Sequence, residues 1–366
     1  MTKVLILANS SGGLVNFRLE LITRLIKEEY RVYFGVPQEK EDEYVKKLEV
    51  VGANYIRTWM NRRGMNPVED LKLIRKYREL VKEVEPDVIL TYTIKPNIYG
   101  NYVASIYNIP TITNITGLGT SLETGRLKYV IKKMYKYACN RASEVFFQNE
   151  ANRHFFLSNN LVKEEKTRLL PGSGVNINKY VPMNKESNKN GIKFLYIGRL
   201  MRDIGIEEYL RAAKNIVSSH LNVEFQVLGS YEEKKYIDKI SESKSVKYLG
   251  VSEDVRNEIR EIDCIVHPSY HEGMSNVLLE GAAMAKPLVA SNIPGCREVI
   301  DEGMNGFLFR PKSSESLEKA LLKFINSEVS ERNEMGKNSR KKVVKEFDRE
   351  IVINKYLESI KRLSRK

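Results

Sequence analysis

Cysteine is scarce in this chain. Cys139, Cys264 and Cys296 lie far apart and are odd in number. That excludes a disulfide framework, and no zinc-ligand spacing is present, so a reducing compartment is expected. Long apolar runs are missing as well, since nothing approaches the ~18 apolar residues that a spanning helix needs. The longest uncharged stretch, residues 96–122, is broken by Gly, Pro, Asn and Thr. The amino-terminal MTKVLILANSSGG enters a strand-like segment without a secretory-signal layout, so the expected location is the cytoplasm. With 42% hydrophobic and 29% charged residues, a mainly disordered chain is excluded. The length of 366 residues exceeds one ordinary domain, and two are expected.

Positive charge is what the chain has in excess, +13 overall, and it is unevenly placed. Residues 1–170 carry 27 basic and 19 acidic groups, residues 171–340 carry 24 of each, and residues 341–366 carry 9 and 4. A basic first half beside a neutral second half implies that only one domain faces an anionic surface. The basic residues form no nucleic-acid module, so nucleic acid is not an expected partner.

Short apolar, β-rich runs alternate with helical spacing throughout. Val4–Ala8, Arg31–Val36, Val88–Thr91, Thr111–Asn114 and Val145–Phe147 read as buried strands, with helices over Phe17–Lys27, Pro67–Val84 and Arg126–Asn140 between them. Residues 171–190, rich in Asn, Gly, Ser and Lys, read as a linker. Alternation then resumes with strands at Phe194–Ile197, Glu224–Leu228, Lys247–Leu249, Cys264–His267 and Leu288–Ala290, helices at Glu207–Val217 and Asn276–Met284, and two closing helices. The expected fold is α/β: two doubly wound, Rossmann-like domains, 1–172 and 173–347, with a terminal helix at about 348–366 returning to the first. Ligands of such sheets sit beyond the carboxyl ends of the strands, and the expected site is a central cleft faced by both domains.

The segment HPSYHEGMSNVLLEGAAMAKPLVAS, residues 267–291, carries the strongest chemical signal. A strand ends at His267, Glu272-Gly273-Met274-Ser275-Asn276 make a turn, and a helix follows. Small residues there let backbone N–H groups approach a ligand, and the helix dipole favours an anion such as a diphosphate. Glu280 lies just over one helical turn past Asn276, so two carboxylates are held at different depths of one pocket. One can face a sugar while the other accepts hydrogen bonds from a ribose diol; an ordinary turn with both solvated is the plain alternative. His267 and His271 beside Glu272 superficially resemble a zinc set, but the order is not H-E-x-x-H and Pro268 breaks a shared helix, so no metal is expected. Gly172-Ser173-Gly174 lacks the full dinucleotide fingerprint, which argues against NAD.

Those two Glu, with seven residues between them and followed by the small-residue helix and KPLVAS, resemble the retaining family-4 glycosyltransferases of GT-B fold. The resemblance covers nearly the whole chain: SSGGLVNFRLELITRL, TYTIKPNIYG, NITGLGTSLE, PGSGVN and GRLMRDIGIEEYL each resemble a family segment. TIKPN, TGLG and PGCREVI most resemble bacterial enzymes that extend undecaprenyl-diphosphate-linked sugars. The resemblance implies a metal-independent hexosyl transfer from a UDP-sugar to a polyprenyl-diphosphate-linked saccharide in cell-surface polysaccharide assembly, with no cofactor. It places Glu272 and Arg199 in catalysis. Donor binding falls to Gly12, Gly13, Arg199, Arg202, Gly273, Met274, Ser275, Asn276 and Glu280, and the acceptor side to Asn16, Lys95, Asn97, Thr116, Gly117 and Gly119. Two positions depart from the family. Ile204 stands where a Lys is usual, with Arg202 as its substitute, and Ile94 stands where a His is often found. A UDP-sugar 2-epimerase of the same architecture, a transferase with a soluble acceptor and a non-catalytic nucleotide-sugar binder remain alternatives.

Residues 126–141, RLKYVIKKMYKYACNR, contain six basic residues and no acid. Leu127, Val130, Ile131, Met134 and Ala138 are expected to pack inward. Lys128, Lys132, Lys133 and Lys136 are then either a solvated face or a contact for anionic lipid at the inner surface of the cell membrane.

Overall fold

The computed structural model describes residues 1–60, 66–117, 128–185, 191–220 and 222–364. The chain divides into two compact units, Met1–Ser173 with Val352–Lys366, and Gly174–Ile351.

In the first unit, β1 (Lys3–Leu7), β2 (Arg31–Val36), β3 (Asn54–Arg57), β4 (Val88–Tyr92), β5 (Thr111–Ile115), β6 (Glu144–Phe147) and β7 (Thr167–Leu169) form one parallel sheet. Its order is β3-β2-β1-β4-β5-β6-β7. The central strands β4 (VILTY) and β5 (TITNI) are buried at every residue, as a sheet covered on both faces requires. The helix Ser11–Lys27 starts where the Ser10 hydroxyl caps the amide of Gly13, and it buries Leu14, Leu21, Ile22 and Leu25 along one stripe. The terminal helix Arg349–Leu363 sets Val352, Ile353, Tyr356 and Ile360 into the same core. Tyr356 hydrogen-bonds Asn114, and the buried Arg18 guanidinium lies 4.9 Å from the Tyr92 ring and 5.8 Å from that of Tyr356.

The second unit repeats the plan with β8 (Ile192–Ile197), β9 (Val223–Leu228), β10 (Val246–Tyr248), β11 (Cys264–His267), β12 (Leu288–Ser291) and β13 (Gly306–Phe309), in the order β10-β9-β8-β11-β12-β13. The strand order of each parallel sheet therefore reverses once, at β1/β4 and at β8/β11. Those are the points where the connections diverge and leave a crevice at the strand ends.

The structure departs from the expectations in several places. The chain closes on three helices, Ser314–Asn326, Val329–Glu346 and Arg349–Leu363, where two were expected. The strands β3, β7 and β13 were not anticipated; all three lie at sheet edges and are only partly buried, so they lack the fully buried apolar run that marks the central strands. Val130 is exposed rather than packed inward; the buried face of the helix Lys128–Arg141 is Ile131, Tyr135, Ala138 and Cys139.

Candidate functional site

The β8/β11 crevice of the second unit gathers Arg199, Arg202, Glu272 and the amino end of the helix Asn276–Ala283 onto adjoining loops. Arg199 follows β8 and pairs with Glu232 at 2.9 Å, and its carbonyl accepts a bond from the Tyr196 hydroxyl at 2.8 Å. Arg202 is exposed in the turn Arg202–Ile204. That turn is bound to the loop after β11, where the Tyr270 amide donates to the Asp203 carbonyl at 2.9 Å. Gly205, at φ +77°, permits this approach, since a Cβ there would lie 2.1 Å from the Pro268 carbonyl oxygen. Ile204 packs over Gly198, just past the end of β8, where an added Cβ would lie 3.2 Å from the Ile204 Cγ2. It is half-buried and packs on the core under β8.

Glu272 is held from two directions. His267, buried at the last position of β11, approaches Glu272 Oε1 with Nε2 at 2.9 Å. An ionised carboxylate only accepts, so Nε2 carries the hydrogen, and Nδ1 has no partner among the described residues. Burial alone would push the Glu272 carboxyl up. The bonds from His267 and Ser269, with the Arg199 charge, outweigh burial and hold it below the ordinary carboxylate range. Behind the turn, Gly295 at φ +85° presses its backbone on Glu272 and Gly273: an added Cβ would sit 2.8 Å from the Gly273 oxygen and 2.9 Å from the Glu272 Cβ. Ser275 donates its amide to the Gly295 carbonyl at 2.8 Å, and Glu298 accepts from the Gly295 amide at 2.7 Å. Glu272 is thus preset rather than free to swing.

Met274 and Ser275 are buried, and the Ser275 hydroxyl caps the helix by accepting from the Leu278 amide at 3.3 Å. Asn276 Oδ1 is buried without a partner among the described residues. One turn on, Glu280 faces the Tyr180 hydroxyl in a site that also feels Arg349 and Lys179. Desolvation dominates there and pushes the Glu280 carboxyl up to about 7, against the hydrogen bond from Tyr180 and the cations. Arg340 fixes Tyr180 by donating to the Tyr180 and Ala283 carbonyls, each at 2.7 Å, and to that of Ile177 at 2.9 Å. The two carboxylates therefore differ sharply: one is held ionised, the other titrates near neutrality.

At the β1/β4 crevice of the first unit there is a cavity of about 310 Å³, lined by Asn9, Met60, Thr93, Ile94, Lys95, Asn97, Thr116, Gly117 and Tyr135. Lys95, Asn97, Thr116 and Gly117 are brought together here. Asn16 lies on the exposed face of its helix, outside this lining. Gly12 and Gly13 form the first turn of that helix. Gly119 lies outside the described residues. Lys95 is ion-paired at 2.9 Å with Asp70, which is itself buried. Thr93 has φ +73°, a strained setting for a β-branched residue, and a π-helical turn follows at Pro96–Gly100.

On the helix Lys128–Arg141 the solvent face comprises Tyr129, Val130, Lys133, Lys136 and Tyr137. Lys132 turns away from it. Its Nζ donates to Asn159 Oδ1 at 2.6 Å and lies 4.9 Å from the Phe155 ring. Tyr102 and Ile106, on the neighbouring helix Asn101–Ile106, extend the exposed face, with Tyr102 and Tyr137 ring centres 6.2 Å apart.

Sequence reasoning missed His267 as the partner of Glu272, because its two histidines were weighed only as metal ligands. It also missed Gly295, Tyr180, Arg340 and Thr93. Only the PGCREVI segment gave any signal for Gly295, and only PGSGVN pointed near Tyr180. Among the described residues, no three His, Cys, Asp or Glu side chains are grouped as a metal centre would need, and no helix is long and apolar enough to cross a membrane.

Known proteins share this plan. Residues 182–342 match the family Glycosyl transferases group 1, and residues 3–149 match Glycosyl transferase 4-like. A curated relative from Campylobacter jejuni, N,N'-diacetylbacillosaminyl-diphospho-undecaprenol alpha-1,3-N-acetylgalactosaminyltransferase, is 26% identical over 370 positions and covers 96% of each chain. The Escherichia coli UDP-Gal:alpha-D-GlcNAc-diphosphoundecaprenol alpha-1,3-galactosyltransferase is 26% identical over 306 positions, 78% of each chain. The crystal structure of Anabaena Alr3699/HepE in complex with UDP superposes with a TM-score of 0.82 at 19% identity, over 99% of this chain and 100% of that one, a likeness of fold.

Proposed function

This chain belongs to the GT-B glycosyltransferases built of a 4-like and a group 1 domain, and from that we propose that it transfers a hexose or N-acetylhexosamine from a UDP-sugar, with retention, to a polyprenyl-diphosphate-linked saccharide in cell-surface polysaccharide assembly. The observation that carries the reading is Glu272, held ionised by His267 and braced by Gly295 beside Arg199 and a helix amino end. The carboxylate accepts hydrogen bonds from donor-sugar hydroxyls and orients the anomeric carbon. As the bond from that carbon to the β-phosphate oxygen breaks, negative charge grows on UDP. Arg199, Arg202 and the helix amides stabilise it without a metal. The acceptor hydroxyl forms the new bond on the same face and passes its proton to the departing phosphate oxygen. The activities of the two relatives, both on undecaprenyl-diphosphate-linked sugars, support a lipid-linked acceptor. A donor screen against the purified protein with a synthetic polyprenyl-diphosphate sugar tests this: UDP release should require that acceptor, whereas a 2-epimerase releases or isomerises without it.

Glu280 takes the ribose diol in this account, and that role has a pH signature. A ribose hydroxyl donates to the ionised carboxylate, so binding should strengthen as pH rises through about 7. Uridine avoids the titration of a phosphate. Its affinity in calorimetry should fall by up to ~tenfold per pH unit below that point, and Glu280→Gln should flatten the profile. The sign for stability is opposite. A raised carboxyl pKa favours the folded state in the protonated form, so that contribution is lost as pH rises from the carboxyl's ordinary range through about 7.

Arg202 supplies the charge that Ile204 lacks. Arg202→Ala should weaken UDP binding by ~tenfold, typical of one charge-assisted bond lost. Ile204→Lys should not tighten it, and should cost ~1–3 kcal/mol of stability by forcing an ammonium into core packing. Tighter UDP binding by Ile204→Lys would show that the diphosphate lies on the 204 side.

We also place the first unit on anionic lipid through Lys133 and Lys136, worth ~1 kcal/mol each near the headgroups, with Tyr129, Tyr137, Tyr102 and Ile106 as interfacial anchors. Lys133→Glu with Lys136→Glu should release the protein from anionic vesicles at low salt. Lys132→Glu, whose native side chain is engaged by Asn159, should do so much less. Equal release by both would contradict this assignment.

A further inference from the structure

The guanidinium of Arg199 already carries an anion. Its side chain is 54% exposed, and Nη1 meets Oε1 of Glu232, itself 42% exposed, at 2.9 Å. The pair is set up by the backbones beneath it. At the ends of β8 and β9 the Gly198 amide donates to the Leu228 carbonyl at 3.0 Å, and the Leu200 amide to that of Ser230 at 2.8 Å. Leu200 also bridges Tyr231 in parallel register. Gly229 permits this approach, since a Cβ there would collide with the Gly198 oxygen. The next acid along, Glu233, is turned to Lys235 at 2.5 Å, so Glu232 is the carboxylate that this register delivers to Arg199. The Tyr196 hydroxyl fixes the Arg199 main chain by donating to its carbonyl, which leaves the direction of the guanidinium to its partners. The Arg199 charge also reaches Glu272 and helps to hold it ionised. One cation therefore serves two carboxylates, a buried one that orients the sugar and an exposed one with no part in the reaction described so far. A diphosphate arriving at Arg199 meets Glu232 as a rival. Exposed ion pairs have little net worth, so the carboxylate gives way easily. It stays tethered beside the guanidinium, however, and there its charge opposes that of the diphosphate.

We propose that Glu232 is a built-in competitor for the diphosphate: it holds Arg199 until the nucleotide arrives, yields it on binding, and keeps UDP affinity below what Arg199 could supply, so that the spent nucleotide leaves. The inference rests on the proposed contact between Arg199 and the diphosphate of the donor, and it adds a residue that sets the strength of that contact. Glu232 acts through Arg199 and takes no part in bond making.

Calorimetry on the full chain tests this with two probes, UDP and uridine, in the wild type, Glu232→Gln, Glu232→Ala, Arg199→Ala and the double variant Arg199→Ala with Glu232→Gln. Either Glu232 substitution should tighten UDP by ~fivefold at low salt, the effect of one unit charge ~4 Å away in a water-like medium. The gain should shrink as added salt screens that charge. Uridine has no phosphate and should bind each Glu232 variant as it binds the wild type. Arg199→Ala by itself should weaken UDP by ~tenfold. In that background Glu232→Gln should gain less than about twofold, because the two side chains act as a unit. UDP affinity that is unchanged or weaker in both Glu232 variants overturns the proposal; the weaker result would make Glu232 a brace that presents Arg199. An equal gain for uridine overturns it as well, since the diphosphate would then not be what Glu232 opposes. In those cases a loss of UDP affinity in Arg199→Ala leaves the donor-site reading standing. If Arg199→Ala binds UDP as the wild type does, the contact between Arg199 and the diphosphate fails, and the role of Glu232 falls with it.

Discussion

Replacing Glu272 by Ala should lower kcat by ~10²–10³-fold, the range seen when one preorganised polar contact to a developing charge is removed. UDP affinity should stay within about threefold, because Glu272 faces the sugar and not the nucleotide. The carboxylate is fixed before substrate arrives, by the 2.9 Å contact from His267 and by the backbone of Gly295 behind it. His267→Gln keeps a donor on a flexible stem and should retain more activity than His267→Ala, which removes it. Steady-state kinetics with calorimetry of UDP separates these effects. A Glu272→Ala protein that loses UDP binding in step with kcat would show that Glu272 belongs to the nucleotide site.

Gly295→Ala should be damaging although Gly295 lies outside the reacting groups. Its φ of +85° is a conformation that L side chains rarely adopt, and the new Cβ would lie 2.8 Å from the Gly273 oxygen and 2.9 Å from the Glu272 Cβ. Strain of ~1–3 kcal/mol is expected if the loop holds. If it yields instead, Glu272 shifts and kcat falls by ~tenfold or more, since a small misplacement of an orienting group is costly. A thermal melt and a kcat measurement read the two outcomes together. Unchanged stability and kcat would mean that the loop around 295 does not brace the turn.

Much of this was legible in the sequence for physical reasons. The strands β1, β4, β5, β8 and β11 are apolar runs bounded by turn residues, so their period and punctuation stood out. The strands β3, β7 and β13 sit at sheet edges with part-exposed residues, so no fully buried run marked them. Glu272 and Glu280 were visible because turn chemistry and a helix start surround them. Their different protonation was not, for it depends on burial and on partners distant along the chain: Tyr180 and Arg349 for Glu280, His267 across a turn for Glu272. Gly295 acts on a residue more than twenty positions before it, a contact that only the fold creates. Lys132 shows the opposite error. Helical spacing placed it on the outer stripe, but the helix Glu150–Ser158 and the following Asn159 cover that stripe. Thr93 gave no signal at all, since nothing in TYTIKPN announces a β-branched residue in a left-handed conformation.

The most direct test of the central claim is the anomeric configuration of the product formed from a UDP-α-sugar and a polyprenyl-diphosphate-linked N-acetylglucosamine, read by the H1–H2 coupling in proton NMR. The account predicts that UDP appears only with the acceptor present, and that the acceptor gains one sugar in the α configuration. A β-linked product would contradict retention, and UDP or a 2-epimer formed without acceptor would contradict transfer itself.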